Sequence, residues 1–145
     1  MQLKNILLPV LAAIPTALAT LPRTFELLAF QNGQRIGCIN GYGNFITYRI
    51  ACYPFSTYGV LGETNEIRGH EACNAVNGSF SCFETENVRS LFAVRLNGAD
   101  LELVGSGTQW SADSLPDIED RYGVPTNIGG EGAVPIFLQV HPVQG

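Results

Sequence analysis

Apolar segments, or segments in which apolar and polar residues alternate, flank each Asn-Gly pair of the chain. Four such pairs occur, at residues 32–33, 40–41, 77–78 and 97–98. A period of two is typical of strands that bury one face, and an Asn-Gly pair between two strands favours a tight hairpin turn. The pattern therefore predicts an all-β fold built from antiparallel hairpins.

The same pattern places the individual strands. Residues 25–39 predict a hairpin around the first Asn-Gly pair, and residues 44–53 predict the strand that follows it. Residues 54–72 contain a proline and several glycines and predict a loop. The segment GAVPIFLQVH predicts a final strand, in which Pro135 marks an edge position or the strand start because it has no N–H to donate.

The segment LFAVRLNGADLELV predicts a further hairpin, with Asn97 and Gly98 at the centre of its turn. On one face Arg95 then lies opposite Asp100, and such an exposed ion pair helps to fix register more than stability. The opposite face is continuously apolar and consists of the pairs Leu96 with Ala99, Val94 with Leu101 and Phe92 with Leu103.

One short helix is predicted from Ser114 to Tyr122. Ser114 is a favourable N-cap residue, Pro116 suits the first turn, and the acidic residues that follow stabilise the positive end of the helix dipole. Gly123 is a typical residue for ending a helix. The hairpins and this helix together predict a compact antiparallel β-sandwich or small barrel.

The segment CNAVNGSFSC predicts a hairpin closed by a disulfide. With its Asn-Gly pair at the centre of a type I′ turn, Cys73 falls opposite Cys82 at a non-hydrogen-bonded position, where Cα atoms are about 4.5 Å apart. That distance suits a disulfide, whereas a zinc site needs closer ligand spacing and a histidine partner.

The cysteine count and one short motif indicate an oxidising compartment. Four cysteines predict two disulfides, so if Cys73 pairs with Cys82, Cys38 pairs with Cys52 by elimination. The NGS tripeptide that begins at Asn77 is an acceptor sequence for N-glycosylation, and it lies at the predicted hairpin tip.

The first nineteen residues predict a signal peptide. Lys4 gives a positive start, the run ILLPVLAAIPTALA gives a short apolar core, and residues 17–19 form a small-x-small cleavage site. The apolar run is too short for a transmembrane anchor, and Pro9 and Pro15 interrupt it. Residues 20–145 are then expected to form a single secreted β domain.

The predicted secreted domain is acidic. The whole chain has a formal charge of −5, and its one lysine, Lys4, lies in the signal segment, which leaves −6 for residues 20–145. Nucleic acids and anionic membranes are bound through clustered Lys and Arg, and the sequence has no such cluster. Neither a nucleic-acid partner nor a membrane partner is therefore expected.

Catalytic chemistry is indicated at one place, the segment ETNEIRGHEAC. His70, Glu71 and Arg68 are residue types that perform acid–base chemistry on phosphodiesters, and in this they are similar to small secreted fungal ribonucleases. The alternative is a solvated loop. A metal site built from Glu63, Glu66, His70 and Glu71 would match no known ligand spacing, so neither a metal nor a cofactor is expected.

Aromatic residues are dense between Tyr42 and Tyr58. Tyr42, Tyr48 and Tyr58, together with Trp110 further along the chain, are candidates for a platform on which sugar rings stack, because aromatic side chains combine a large apolar area with a polar handle. The alternative is core packing, since the alternation of residues 45–50 also fits a half-buried strand.

The segment LPRTFELLAFQNGQRIGCINGYGNF resembles the start of small secreted proteins of filamentous ascomycetes. In that group an F-x-L-x-A strand leads into G-x-x-I and a second glycine-rich strand, and cell-wall proteins related to the phialide and hyphal-fusion proteins begin similarly. The resemblance covers residues 21–46, while the cysteine spacing departs from those families. It implies a wall-associated or effector-like protein and transfers no catalytic residue.

These observations favour a secreted, non-enzymatic β domain that acts at the cell wall or on a host target. Its expected partner is a cell-wall polysaccharide or a host protein. The alternative is a small secreted hydrolase, ribonuclease-like, that uses His70 and Glu71.

Overall fold

The structure, a computed structural model, describes residues 19–47, 52–83, 90–105 and 107–143. Within these ranges the chain forms twelve strands and no helix. The strands are β1 Thr24–Gln31, β2 Gln34–Ile39, β3 Phe45–Ile46, β4 Phe55–Ser56, β5 Thr64–Asn65, β6 Asn74–Val76, β7 Ser79–Ser81, β8 Phe92–Asn97, β9 Asp100–Val104, β10 Trp110–Ala112, β11 Thr126–Asn127 and β12 Val134–Pro142.

The strands pair antiparallel and form one curled sheet, a half-barrel. Along the main path the order is β3-β2-β1-β12-β10-β11-β7-β6, and the remaining strands attach to β1, β12 and one another. The last strand, β12, is central: residues 137–142 pair with β1, residues 134–136 pair with β10, and Gln139 pairs with Glu102 of β9. Pro135 therefore marks the strand start rather than an edge.

Alternate side chains of the long strands enter one large hydrophobic core. Phe25, Leu27 and Ala29 of β1 are wholly buried, because successive side chains of a strand point to opposite faces. The other buried core residues are Leu21, Ile39, Phe45, Phe55, Ile67, Cys73, Phe80, Cys82, Phe92, Val94, Leu103, Trp110, Ala112, Ile136, Leu138 and Val140.

A second, smaller cluster covers the opposite face of β1 and β2. Leu28, Cys38 and Ile46 are buried there, and Phe30 and Cys52 pack against them. The Cys38–Cys52 disulfide belongs to this cluster, and its Cα atoms are 5.7 Å apart. Both faces of β1 are therefore covered by apolar side chains.

The disulfide-closed hairpin is confirmed in its register, its turn and its bond. β6 and β7 pair Val76 with Ser79 and Asn74 with Ser81, and both turn residues have positive φ, 51° at Asn77 and 80° at Gly78. The Cα atoms of Cys73 and Cys82 are 3.9 Å apart. The two predicted disulfides are thus both present.

The β8–β9 hairpin is confirmed, but its predicted register is wrong. Asn97 pairs with Asp100, so the turn is centred on Gly98 and Ala99. Gly98 has a φ of 64°, and Asn97 does not share the positive φ that a type I′ turn would require of it. Arg95 consequently lies opposite Glu102 instead of Asp100.

The predicted helix from Ser114 to Tyr122 is wrong, because these residues form bends, one turn and irregular chain. Asp120 accepts hydrogen bonds at Oδ1 from the backbone N–H groups of Tyr122 and Gly123, at 3.0 Å each. A carboxylate that bonds to its own backbone two residues on gives the chain an alternative to helix.

Three further predictions are confirmed only in part or lie partly outside the described residues. The strand predicted at 44–53 is present as β3, residues 48–51 lie outside the described ranges, and Cys52 and Tyr53 are not in a strand. The predicted loop 54–72 contains the short strands β4 and β5. The predicted signal peptide also lies outside them apart from Ala19, whose carbonyl accepts the N–H of Leu61 at 3.2 Å.

No helix that could cross a membrane occurs in the described part of the chain.

Candidate functional site

Several aromatic rings meet at the surface around Tyr42. Its ring centroid lies 4.6 Å from that of His70, 5.2 Å from Phe83 and 6.5 Å from Tyr122. Tyr53 contacts His70 from another side at 4.7 Å. Phe83 and Tyr122 are 60% and 67% exposed, so much of the aromatic surface of this cluster is accessible to solvent.

An open groove of about 390 Å³ runs beside these rings. We call it the aromatic groove, and it is lined by Tyr42, Asn44, Ser81, Phe83 and Tyr122. Three rings and two neutral polar side chains thus form the walls, and none of the lining residues is charged. Ligand sites commonly combine aromatic walls with a few polar groups in this way.

Asn40 holds the first wall of the groove in place. Its side chain is 4% exposed, and its Oδ1 accepts the backbone N–H groups of Tyr42 at 3.1 Å and Asn44 at 3.0 Å. Gly43 has a φ of 96°, and a Cβ there would lie 2.6 Å from the carbonyl oxygen of Phe80. The sequence NGYGN therefore forms a tight turn that only glycine permits at this point.

The same asparagine also holds the second wall. Asn40 Nδ2 donates to the carbonyl oxygens of Arg121 at 2.9 Å and Tyr122 at 3.0 Å, and Asn44 Nδ2 donates to the Tyr122 carbonyl at 2.9 Å. Next to this contact, Val124 and Phe45 exchange two backbone hydrogen bonds. The rings of Tyr42 and Tyr122 are therefore positioned by one shared network.

The disulfide-closed hairpin provides the third wall. The backbone N–H of Cys82 donates to the carbonyl of Tyr42 at 2.8 Å, and Phe83 follows directly along the chain. Ser81, the last residue of β7, lines the groove beside it. The Cys73–Cys82 bond thus anchors the chain immediately before an exposed ring of the groove.

His70 lies between Tyr42 and Tyr53 at the edge of the cluster. Its backbone N–H donates to the carbonyl of Gly41 at 2.9 Å. A Cβ on Gly41 would lie 2.6 Å from the imidazole and from the Tyr53 ring, so the absence of a side chain makes room for both. Tyr53 in turn contacts Phe55, with 5.6 Å between ring centroids, which joins the surface cluster to the core.

The residues of the catalytic hypothesis are close in sequence but not assembled as an acid–base group. Arg68 Nη1 lies 3.8 Å from Glu66 Oε1. Among the described residues the His70 imidazole has ring contacts with tyrosines and no hydrogen bond or ion pair. Glu71 is exposed. Across the described ranges, no three His, Cys, Asp or Glu side chains come together in a way that could hold a metal ion.

Of the four predicted stacking residues, the structure places only Tyr42 in the groove. Trp110 is wholly buried, with Nε1 donating to the carbonyl of Leu103 at 3.0 Å, so the prediction that it stacks on a ligand is wrong. Tyr58 is 81% exposed but lies apart from the groove and stacks on the guanidinium of Arg23 at 4.5 Å. Tyr48 lies outside the described residues.

The sequence prediction missed Phe83 and Tyr122. Each is an aromatic residue at the end of a short constrained segment, Phe83 after a disulfide cysteine and Tyr122 before a glycine with a φ of 75°. An aromatic residue next to a disulfide cysteine or a turn glycine indicates a ring exposed in a loop. The sequence holds no signal that pairs them, because about forty residues separate each ring from the next.

The predicted glycosylation site is accessible. Asn77 is exposed at the tip of the β6–β7 turn, and a Cβ on Gly78 would meet open space. Attachment of a glycan at Asn77 stays a prediction.

Comparison of the chain with protein-family models, curated proteins and solved structures finds no significant match.

Proposed function

We propose that this protein is a secreted, non-enzymatic β domain that binds a neutral polysaccharide of the cell wall in the aromatic groove. The observation that supports it most is the exposure of Phe83 and Tyr122 around a groove whose other walls are Tyr42, Asn44 and Ser81. Large exposed aromatic side chains that converge on one groove are typical of recognition surfaces rather than of ordinary surface.

The chemistry of the walls fits a sugar. The flat C–H face of a pyranose ring packs on an aromatic ring, while its hydroxyls need neutral donors and acceptors close by. Asn44 and Ser81 supply an amide and a hydroxyl at the groove, and the tyrosines add phenolic groups. A charged glycan would find no charged side chain among the lining residues.

The groove is held in shape before any ligand arrives. Asn40 fixes two of its walls by four hydrogen bonds, and a disulfide anchors the third. A ligand that binds a fixed surface does not have to order loops, which improves affinity for a given contact area.

The proposed extracellular location of the protein is supported by a different set of observations. Two disulfides are typical of proteins from oxidising compartments. Secretion is also supported by the predicted signal peptide and by the resemblance to wall-associated proteins of filamentous ascomycetes. The sequon at Asn77 supports attachment of a glycan to that residue.

The test is binding of purified residues 20–145 to a glycan array and to insoluble β-glucan and chitin. Tyr122→Ala removes one exposed wall, and we expect it to lower affinity about tenfold or more, as loss of a buried aromatic contact does at binding sites. Tyr58→Ala is the matched control, since Tyr58 is at least as exposed but lines a different surface, and its binding should equal that of the wild type. Near-ultraviolet circular dichroism establishes that each variant is folded.

An absence of saturable glycan binding in the folded wild type would exclude the polysaccharide and favour a host protein partner or the hydrolase described next. Equal losses in the two variants would place the contact outside the groove.

A ribonuclease-like hydrolase that uses His70 and Glu71 is the second candidate. It is favoured by the exposed position of His70 beside the groove, in contact with Tyr42. RNA cleavage by the wild type that disappears in His70→Ala would establish it, and no cleavage by the wild type would remove it.

A further inference from the structure

A second cavity, of about 280 Å³, lies on another part of the sheet and shares no lining residue with the aromatic groove. We call it the Glu102 cavity; its walls include Phe30, Asn97, Glu102, Phe137 and Gln139. The side chains of β12 that enter the core are those of Ile136, Leu138 and Val140, so the intervening residues point away from the core.

The pairing of three strands brings these side chains together. Phe30 of β1 lies opposite Phe137 of β12, and Gln139 of β12 lies opposite Glu102 of β9. Residues directly opposite one another in a sheet share a face and lie within contact distance. The cavity lining therefore combines two aromatic rings with two carboxyls, of buried Glu102 and exposed Asp100, and with the amides of Asn97 and Gln139.

Glu102 is the unusual residue in this cavity. Glu102 is only 7% exposed, and from the described residues its side chain accepts one hydrogen bond, from Asn97 Nδ2 to Oε2 at 2.9 Å. Within the described ranges Oε1 has no donor, no cationic group lies within ion-pair distance, and the Gln139 amide has no hydrogen bond. Oε1 is not among the fully buried atoms that lack a partner, so it faces the cavity and is available to a cation.

We propose that the Glu102 cavity binds an organic cation, specifically a primary ammonium group carried on a short apolar chain. Oε1 of Glu102 and the Gln139 carbonyl accept its N–H groups, and such charge-assisted bonds are stronger than neutral ones. The faces of Phe30 and Phe137 attract the positive charge and cover the alkyl chain. Lysine side chains, polyamines and small amines share this chemistry.

Arg35, which lies opposite Phe30 in the sheet, donates to Cys52 Sγ at 3.2 Å. Among the described residues, Arg95 is then the cation that could compete for the site. It lies directly opposite Glu102 in the sheet, but its side chain is exposed and makes no ion pair with it. The Arg95→Gln variant therefore tests whether the Arg95 guanidinium occupies the Glu102 cavity and excludes other cations from it.

The experiment is a titration of the secreted domain with n-butylammonium, followed by amide chemical shifts. n-Butanol is the neutral probe of equal size, and tetramethylammonium is a cation without N–H groups. We expect saturable shifts at the amides of β9 and β12 with n-butylammonium, and affinity at least about tenfold lower for n-butanol, as loss of a charge-assisted hydrogen bond gives. Tetramethylammonium should bind more weakly than n-butylammonium.

Two variants complete the test. Glu102→Gln keeps an acceptor for Asn97, so the hairpin should fold, as its amide spectrum will show, and n-butylammonium affinity should fall about tenfold or more. Arg95→Gln should bind as well as the wild type or better. Equal affinity for n-butylammonium and n-butanol, unchanged binding in Glu102→Gln, or binding that appears only in Arg95→Gln would each overturn the proposal.

Discussion

Buried asparagines organise the loops of this protein, and Asn40 is the most consequential for function. Its side chain satisfies two backbone N–H groups in its own turn and two carbonyls in the segment at residues 121–122. A buried polar group with all of its hydrogen bonds made stabilises one arrangement of the surrounding chain. Asn40 contacts no ligand in the proposed function; it positions the rings that do.

Replacing Asn40 by alanine should therefore affect both stability and binding. The change removes four hydrogen bonds to backbone groups, of which the Tyr122 carbonyl keeps Asn44 Nδ2 as a donor, and we expect the free energy of unfolding to fall by about 2–4 kcal/mol. Glycan affinity should fall as well, because Tyr42 and Tyr122 lose their common support. Chemical denaturation and the glycan titration, both at a temperature where the variant is folded, measure the two effects.

Asn44→Ala is the control for this prediction. Asn44 gives a single side-chain hydrogen bond, to Tyr122, in a more exposed position, and its loss should cost about 0.5–1.5 kcal/mol. If Asn40→Ala destabilised no more than Asn44→Ala, the network would not have the role assigned to it.

At the scale of elements, the four Asn-Gly pairs show what local sequence can predict. The pairs at 32–33 and 77–78 form turns with positive φ at both residues, as a type I′ turn requires. At 97–98 the turn is centred one residue later than predicted, so each residue of β8 faces a β9 residue two positions later than predicted. A shift of two preserves which face each residue is on, so the buried residues Val94 and Leu103 were still assigned correctly.

The fourth pair, at 40–41, forms no hairpin turn, because a long-range contact determines its structure. Asn40 turns its side chain inward to residues about eighty positions later in the chain. The predicted helix failed for a related reason: Asp120 bonds to its own backbone, and Thr47 Oγ1 donates to the carbonyl of Pro116 at 3.0 Å. Local propensities gave no information on either contact.

The two disulfides should contribute similarly to stability and differently to function. They close loops with sequence separations of 9 and 14, for which chain entropy predicts a loss of about 3 kcal/mol each on removal. Replacing Cys73 and Cys82 by serine should also weaken glycan binding, because Phe83 and Ser81 adjoin this bond. Replacing Cys38 and Cys52 by serine should leave binding by the folded protein unchanged.

Denaturation curves and glycan titrations of the two double variants test this difference. Equal effects of the two pairs on binding would show that the hairpin bond has no special part in shaping the groove.

At the scale of the whole molecule, the curled sheet brings together what the sequence separates. The all-β class and both disulfides could be predicted, because hairpin signals and cysteine spacing are local. The groove could not, since Tyr42, Phe83 and Tyr122 come from three distant loops. For Trp110, a candidate for either ligand stacking or core packing, the core alternative is correct, and its neighbours in sequence do not reveal its burial.

The charge of the whole domain makes a further prediction about the ligand. The domain is acidic, but none of the lining residues of the groove is charged. Raising salt from about 0.1 M to about 1 M shortens the screening length from about 10 Å to about 3 Å, and glycan affinity should stay within about twofold. A large loss of affinity measured by titration across this range would mean that surface charges, and not the neutral groove, bind the ligand.

The most direct measurement is chemical-shift mapping with soluble β-glucan and chitin oligosaccharides on protein labelled in its aromatic rings and backbone amides. The account predicts saturable shifts concentrated on the rings of Tyr42, Phe83 and Tyr122 and on the amide of Asn44, with Tyr58 unaffected. Saturable shifts centred on any other surface, or no saturable shift with any oligosaccharide, would contradict the claim that this groove binds a wall polysaccharide.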